Sequence, residues 1–291
     1  MAVLAYLIWG FLPLYFHALH GVPPLEIVGW RVVFTLPLCL AIIAARGQGP
    51  DLRAALATPA VLVRLCASAL LVATNWLIYV YAINSGHVLA ASLGYYINPL
   101  LNVLLGTAFL GERLNRVQWG AVALAGLGIA LLVAGALDML GVALSLAVSF
   151  ALYGLVRKLT PVGAVPGLTV ETMVLFLPAL AVVGSFMASP AGSSIARGPA
   201  CAGLLVGSGV LTGVPLLLFA VAARKLDLST LGFVQFLSPT IAFVLGLTVF
   251  GEPLDMVRLA CFVLIWLAIG LFSWDMLRRT RGLPRPRATA A

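Results

Sequence analysis

Charge is what this sequence has least of. Asp, Glu, Lys and Arg make up 9% of its 291 residues, while 63% are hydrophobic; a soluble domain carries about 25% charged residues. A water-soluble fold of this size could not hide so much apolar surface, which leaves lipid as the fitting solvent. Cysteine is scarce too. Cys39, Cys66, Cys201 and Cys261 all fall inside apolar runs, without the spacing of a disulfide framework, a zinc site or a redox motif. Missing also are the GxxxxGK[ST] phosphate loop, H-E-x-x-H, G-x-S-x-G and paired aspartates for a metal-diphosphate site. Their absence argues against ATP hydrolysis by the chain and against an intramembrane enzyme, so no cofactor and no metal is implied.

What is present is a series of long apolar runs. In lipid every backbone polar group must be satisfied internally, so a spanning chain is helical or a closed barrel. Continuous runs, rather than strands of alternating polarity, select an all-α integral membrane fold. At about 20 residues per crossing, the spacing predicts ten transmembrane helices over 2–19, 25–45, 60–82, 88–110, 116–134, 137–157, 168–188, 200–223, 229–250 and 256–277. Turn chemistry marks the breaks, as at Gly21-Val22-Pro23-Pro24, Asn84-Ser85-Gly86, Gly111-Glu112 and Pro190-Ala191-Gly192. The first run reads as a membrane helix, since it lacks the basic start and small-residue site of a cleavable signal.

The few charges set the orientation. With the N-terminus cytoplasmic, the inside loops and tail hold Arg46, Arg53, Arg64, Arg113, Arg116, Arg157, Lys158, Arg224 and Lys225. To these are added the tail residues Arg278, Arg279, Arg281, Arg285 and Arg287. Only Arg197 and Arg258 fall outside. This bias predicts a multi-pass protein of the cytoplasmic membrane with both termini inside. The basic tail is a topology anchor near anionic lipid rather than a nucleic-acid site. Trp119 and Trp274 near helix ends read as interface anchors.

A shift of 140 residues aligns Pro99, Gly106, Gly111-Glu112 and Leu114 with Pro239, Gly246, Gly251-Glu252 and Leu254 without a gap. Ala82, Val117 and Ile129 match Ala222, Val257 and Ile269. The predicted organisation is therefore a five-helix repeat at 1–134, a second at 135–277, and a basic tail at 278–291. An odd helix number forces the two repeats to cross in opposite senses. Inverted-topology repeats recur in secondary transporters, where the halves exchange inward-open and outward-open states around a midplane site. Duplication for stability alone, or an inverted-repeat channel, is the alternative.

The stretch Trp76-Leu77-Ile78-Tyr79, followed by Ala90-Ala91-Ser92-Leu93-Gly94-Tyr95-Tyr96-Ile97-Asn98-Pro99-Leu100, resembles the RarD group. So do Tyr6-Leu7-Ile8-Trp9-Gly10 and Leu12-Pro13-Leu14-Tyr15-Phe16. That group belongs to the EamA branch of the drug/metabolite transporter superfamily. The resemblance covers nearly the whole chain and implies ten helices, two EamA repeats and permease activity on small solutes. One departure is an abrupt start without the group's short polar lead, which leaves a start upstream open.

Polar residues at membrane depth are expensive and default to functional candidates. Arg31, five residues beyond Glu26, is the first. It is expected to face a central cavity and hold an anionic substrate group or a carboxylate partner, the alternative being snorkelling to the outer interface. Aligning Leu36-Pro37 with Leu177-Pro178 puts Glu171 beside the equivalent of Arg31, across the cavity. Burial favours the neutral form of a carboxylate, making Glu171 a proton-coupling candidate; the alternative is a residue of the cytoplasmic helix end. Asn75 and Tyr79, four apart, share a face. Ser92, Tyr95, Pro99 and Asn102 follow at helical spacing with Asn98 adjacent, and Gln235 and Ser238 precede Pro239. Pro99 and Pro239 are candidate helix breaks that free carbonyls toward a cavity. Trp9 and Tyr153 occupy the two repeat-related first helices. The substrate-binding set is thus Trp9, Arg31, Asn75, Tyr79, Tyr95, Asn98, Tyr153 and Gln235, the alternative being interhelical hydrogen bonding worth on the order of 1 kcal/mol per pair. His17, His20 and His87 match no ligand motif and read as interface residues.

These residues point to a secondary active transporter that moves a small organic metabolite or drug by alternating access, with proton coupling open. A channel or membrane scaffold, and less so an intramembrane enzyme, are the rivals. The expected partners are a small-molecule substrate and the bilayer, with no nucleic acid and with a homodimer left open.

Overall fold

The computed structural model describes residues 1–84, 88–134, 140–249 and 256–282. These form twelve α-helices and no strand among the described residues. In chain order they are α1 (Ala2–Ala18), α2 (Pro24–Ala45), α3 (Gly49–Ala57), α4 (Pro59–Asn84), α5 (Val88–Phe109) and α6 (Arg116–Ala134). There follow α7 (Leu140–Leu159), α8 (Ala164–Ala188), α9 (Pro199–Lys225), α10 (Leu228–Gln235), α11 (Leu237–Thr248) and α12 (Met256–Gly282). Proline supplies the start of several: Pro24, Pro199 and Pro50 sit in the first turn of α2, α9 and α3, where a missing N–H costs nothing. Gly21 and Gly111 take positive φ (83° and 67°) in the turns after α1 and α5, a region an L side chain rarely enters.

Among the described residues eight spans are long and apolar enough to cross a membrane, with α10 and α11 together making one of them; α1 is shorter. Large apolar side chains such as Phe109 (71% exposed) and Leu177 (73%) point away from the bundle, an arrangement that suits lipid and not water. The molecule is a multi-pass helical membrane protein.

The helices start and stop within a few residues of the predicted spans, with two corrections. The segment after 45 is not a plain loop: α3 buries Leu52 and Ala55 against α8. Nine residues are too few to register as an apolar run. The predicted span 229–250 is two helices meeting at Phe236. Pro239 has no N–H to return to the Gln235 carbonyl, so the ladder opens there. Pro99, by contrast, lies within a continuous α5; the expected matching break at Pro99 is absent. Gly251-Glu252, His87, Arg285 and Arg287 lie outside the described residues.

The main packing partners cross between the two halves of the chain. α1 lies on α9 and α11, α2 on α8 and α9, α4 on α7 and α8, α5 on α7 and α10, and α6 on α12. Without a hydrophobic driving force between helices in lipid, such contacts rest on small residues that let backbones approach. Gly209 of α9 shows this. A Cβ placed there would sit 2.6 Å from both the carbonyl carbon and the Cβ of Phe34 on α2, while Thr35 Oγ1 donates to the Gly209 carbonyl at 3.1 Å. Gly209→Ala is expected to cost about 1–3 kcal/mol through overpacking, read as a lowered unfolding temperature in detergent. Gly184→Ala, whose Cβ meets nothing within 4 Å, should leave it unchanged.

Candidate functional site

A cavity of ≈ 300 Å³ opens in the middle of the bundle, at the small end of the range for organic-ligand pockets. Its walls come from α1, α2, α4 and α5 of the first half and from α7, α9, α10 and α11 of the second.

Arg31 supplies its charge. The residue lies about two turns into α2, deeper than its distance from Glu26 suggested, because α2 already starts at Pro24. Its Nε donates to Thr212 Oγ1 at 2.7 Å. Its guanidinium carbon lies 5.1 Å from the Trp76 ring centroid and 5.8 Å from that of Phe16. Two aromatic faces stabilise the cation where water is sparse. Thr212 itself donates to the Ser208 carbonyl at 2.7 Å, which fixes the lone pair it turns to Arg31. Among the described residues no carboxylate is ion-paired with Arg31, and its remaining N–H groups have no protein acceptor.

The other walls are aromatic and polar. Trp9 packs edge-on against Phe150 (5.7 Å between centroids) and tilted against Tyr6 (5.5 Å). Tyr79 and Tyr95 lie 6.1 Å apart. Asn75 donates to the Leu146 carbonyl at 2.8 Å and to Ser149 Oγ at 3.0 Å, tying α4 to α7. Gln235 and Pro239 line the cavity at the α10–α11 joint, beside Ser238, whose hydroxyl donates to the Tyr6 carbonyl at 2.6 Å.

Of the predicted residues, the structure brings Trp9, Arg31, Asn75, Tyr79, Tyr95, Gln235 and Pro239 to this one cavity. Asn98, Pro99, Tyr153 and Glu171 do not line it. Asn98 is buried behind the wall, where its Nδ2 donates to the Ala147 carbonyl at 2.7 Å and its Oδ1 accepts from Asn102 Nδ2 at 3.2 Å. Asn102 Nδ2 also donates to Gln235 Oε1 at 3.0 Å. Tyr153 is fully buried and stacks on Phe219 (5.8 Å, 17°). Sequence reasoning missed Thr212 and Phe150. A lone threonine in an apolar helix most often satisfies its own i−4 carbonyl, and one phenylalanine among many carries no signal.

The placement of Glu171 needs the larger correction. It does not face Arg31 across the cavity. Its Oε1 lies 3.5 Å from Arg157 Nη1, with the two side chains 2% and 1% exposed, and Ser68 donates to it. Arg157, expected in a cytoplasmic loop, is instead buried in the last turn of α7. The glycine at 167 makes room for it: a Cβ there would stand 2.1 Å from Arg157 Nη1. A void of about 10 Å³ beside Glu171 shares Trp76, Thr212 and Leu216 with the cavity wall, so one layer of side chains separates the ion pair from Arg31.

Two further contacts lie on the Glu171 side, one joining the halves and one within the second half. Glu112 accepts from the backbone N–H groups of Leu228 (2.5 Å) and Ser229 (2.9 Å) and from the Ser229 hydroxyl (2.6 Å). A carboxylate at the positive end of α10 satisfies donors the helix cannot. Lys158 donates to the Ala223 carbonyl at 3.3 Å and to that of Leu226.

Residues 1–134 match the EamA-like transporter family. An uncharacterized transporter of Pseudomonas aeruginosa is 45% identical over 289 residues, covering 98% of this chain and 96% of that protein. The protein named RarD in Escherichia coli K12 is 41% identical over 284 residues, covering 97% and 95%. A solved crystal structure superposes with a TM-score of 0.73 at 21% identity, covering 94% of this chain and 96% of its own, a likeness of fold alone. A membrane helix bundle around a largely apolar cavity with a few polar groups, with relatives named as transporters, defines the class: a multi-pass membrane transporter of the drug/metabolite type. Within it, the chain belongs to the RarD group of the EamA family.

Proposed function

We propose that this chain is a secondary active transporter that moves a small organic metabolite or drug across the cytoplasmic membrane by alternating access. The observation that carries this is the cavity: it lies mid-bundle, between the two halves of the chain, and holds a partly buried cation that has no carboxylate partner among the described residues. Trp9, Arg31, Asn75, Tyr79, Tyr95 and Gln235 are its substrate contacts, and Asn98 and Tyr153 act from behind the wall.

The inverted repeat, 1–134 against 135–277, gains support from the packing. Exchange α1 with α7, α2 with α8, α4 with α9, α5 with α10–α11 and α6 with α12. The α1·α9 contact then becomes α7·α4, α1·α11 becomes α7·α5, and α2·α9 becomes α8·α4, while α2·α8 and α6·α12 map onto themselves. Two equivalent halves can trade conformations, which is the basis of alternating access. With both termini and the tail 278–291 cytoplasmic, the Glu112 cap, the Lys158 contacts and the Arg157–Glu171 pair all lie toward the cytoplasm. Separation of the Glu112 cap and of the Ser68–Glu171 hydrogen bond, which join the two halves, opens the inner path, and Glu171 is the group that carries a coupling proton when its pair with Arg157 parts.

The test is counterflow in proteoliposomes loaded with a broad metabolite and drug panel. A carrier saturates and exchanges internal for external solute. Ion current without counterflow for any solute overturns the transporter reading in favour of a channel.

A further inference from the structure

We infer that the cavity selects small organic anions, and rejects zwitterions and cations of the same shape. This rests on the cavity being the substrate site, as proposed above, and adds the charge class of what enters it.

The fixed charge of the cavity is the first ground. Arg31 contributes a cation, and none of the six described carboxylates (Glu26, Asp51, Glu112, Glu171, Asp227 and Asp275) is among the lining residues. Glu171, which lines the small void behind the wall, is held there by Arg157 and Ser68. Arg31 Nε is occupied by Thr212, which leaves the Nη groups, a planar fork suited to a carboxylate. The faces of Phe16 and Trp76 that could receive an ammonium are already covered by the guanidinium. An ammonium on the solute would thus enter a low-dielectric space beside a like charge, without a counter-ion.

The second ground is independent and ends at Gln235, on the opposite half of the chain. A backbone carbonyl can only accept, so the Ala147 carbonyl fixes which end of the Asn98 amide faces it: Nδ2. Asn98 Oδ1 must then accept from Asn102 Nδ2, and the same Nδ2 donates to Gln235 Oε1. The polarity set at Ala147 passes through three amides and ends with Gln235 turning its Nε2 donors to the cavity. Among the described residues that Nε2 has no protein acceptor. An amide left free could offer either end, but this one is locked as a donor. Arg31 on α2 and Gln235 on α10 therefore present donors from both halves, framed by Trp9, Tyr79 and Tyr95. The complement is a small organic acid with an apolar or aromatic body and a net negative charge. Asn98 and Asn102 are positioning residues for it.

The test uses three probes with one aromatic body: 3-phenylpropionate, phenylalanine and phenethylamine, titrated calorimetrically into the purified full chain. The expected result is binding of 3-phenylpropionate at least about tenfold tighter than phenylalanine, with phenethylamine weaker still. Gln235→Glu keeps the shape but replaces donors by a carboxylate. It should lose anion binding by about tenfold or more and gain phenethylamine. If phenylalanine or phenethylamine binds the unaltered protein as tightly as 3-phenylpropionate, and Arg31→Gln changes that binding, the charge class is wrong while the cavity stands as the site. If binding of all three ignores both Arg31→Gln and Gln235→Glu, the cavity reading falls as well. Absence of 3-phenylpropionate binding up to about 10 mM also overturns the inference.

Discussion

Arg31→Ala is expected to abolish saturable transport while leaving the protein inserted in the membrane. Truncating one partner of a desolvated charge pair costs about 2–5 kcal/mol. At about 1.4 kcal/mol per factor of ten, the loss in transport efficiency is on the order of 100-fold. Insertion should not suffer, because an arginine at membrane depth opposes insertion by about 2.5–3.5 kcal/mol. In the free protein the side chain is held by Thr212, Phe16 and Trp76, so its removal deletes no ion pair. Arg31→Lys keeps the charge but loses the planar fork and the stacking on Trp76, and should fall between the two. Uptake by proteoliposomes, normalised to reconstituted protein, measures this. Normal uptake by Arg31→Ala would remove Arg31 from the substrate site.

The second large effect belongs to the Arg157–Glu171 pair. Arg157→Met strands a buried carboxylate and is expected to cost about 3–5 kcal/mol of stability. The double variant Arg157→Met, Glu171→Leu removes both charges and should recover most of that loss, since a buried pair is worth little more than packed apolar groups. Unfolding in detergent reads both. A double variant as unstable as the single would mean that the pair is held for packing, not charge. Transport separates the coupling role. Glu171→Gln cannot take up or release a proton, so accumulation driven by a pH gradient should collapse, while counterflow without a gradient continues in the folded protein. Unchanged pH-driven accumulation rejects Glu171 as the proton carrier.

Part of the cavity was legible because membrane depth makes polarity costly. Arg31, Asn75, Tyr79, Tyr95 and Gln235 stand out against apolar neighbours, and helical spacing puts Asn75 and Tyr79 on one face. Asn98 stands out by the same rule but serves another amide, because a polar group at depth needs a partner and the sequence does not say whether that partner is solute or protein. Glu171 was rightly marked as buried, yet its partner was misread. The alignment of Leu36-Pro37 with Leu177-Pro178 suggested a position opposite Arg31, while Arg157, at a helix end, looked like one more topology-setting charge. The two lie fourteen residues apart across the α7–α8 turn, and the glycine at 167 that admits the guanidinium has no signal of its own.

The sequence by itself determined that the protein is a bundle of membrane helices, because long apolar runs with few charges have no other stable solvent. It also supplied the approximate bounds of most of those helices, though not α3 or the break at Phe236, and which residues are too polar to face lipid. The tertiary structure alone decided the pairing: Arg31 with Thr212 and two aromatic faces, Glu171 with Arg157, Gln235 with the amide chain from Ala147. The physical reason is that the cost of burying a polar group is local and one-dimensional, readable residue by residue. Its compensation comes from another helix, and which helix that is depends on how the bundle closes.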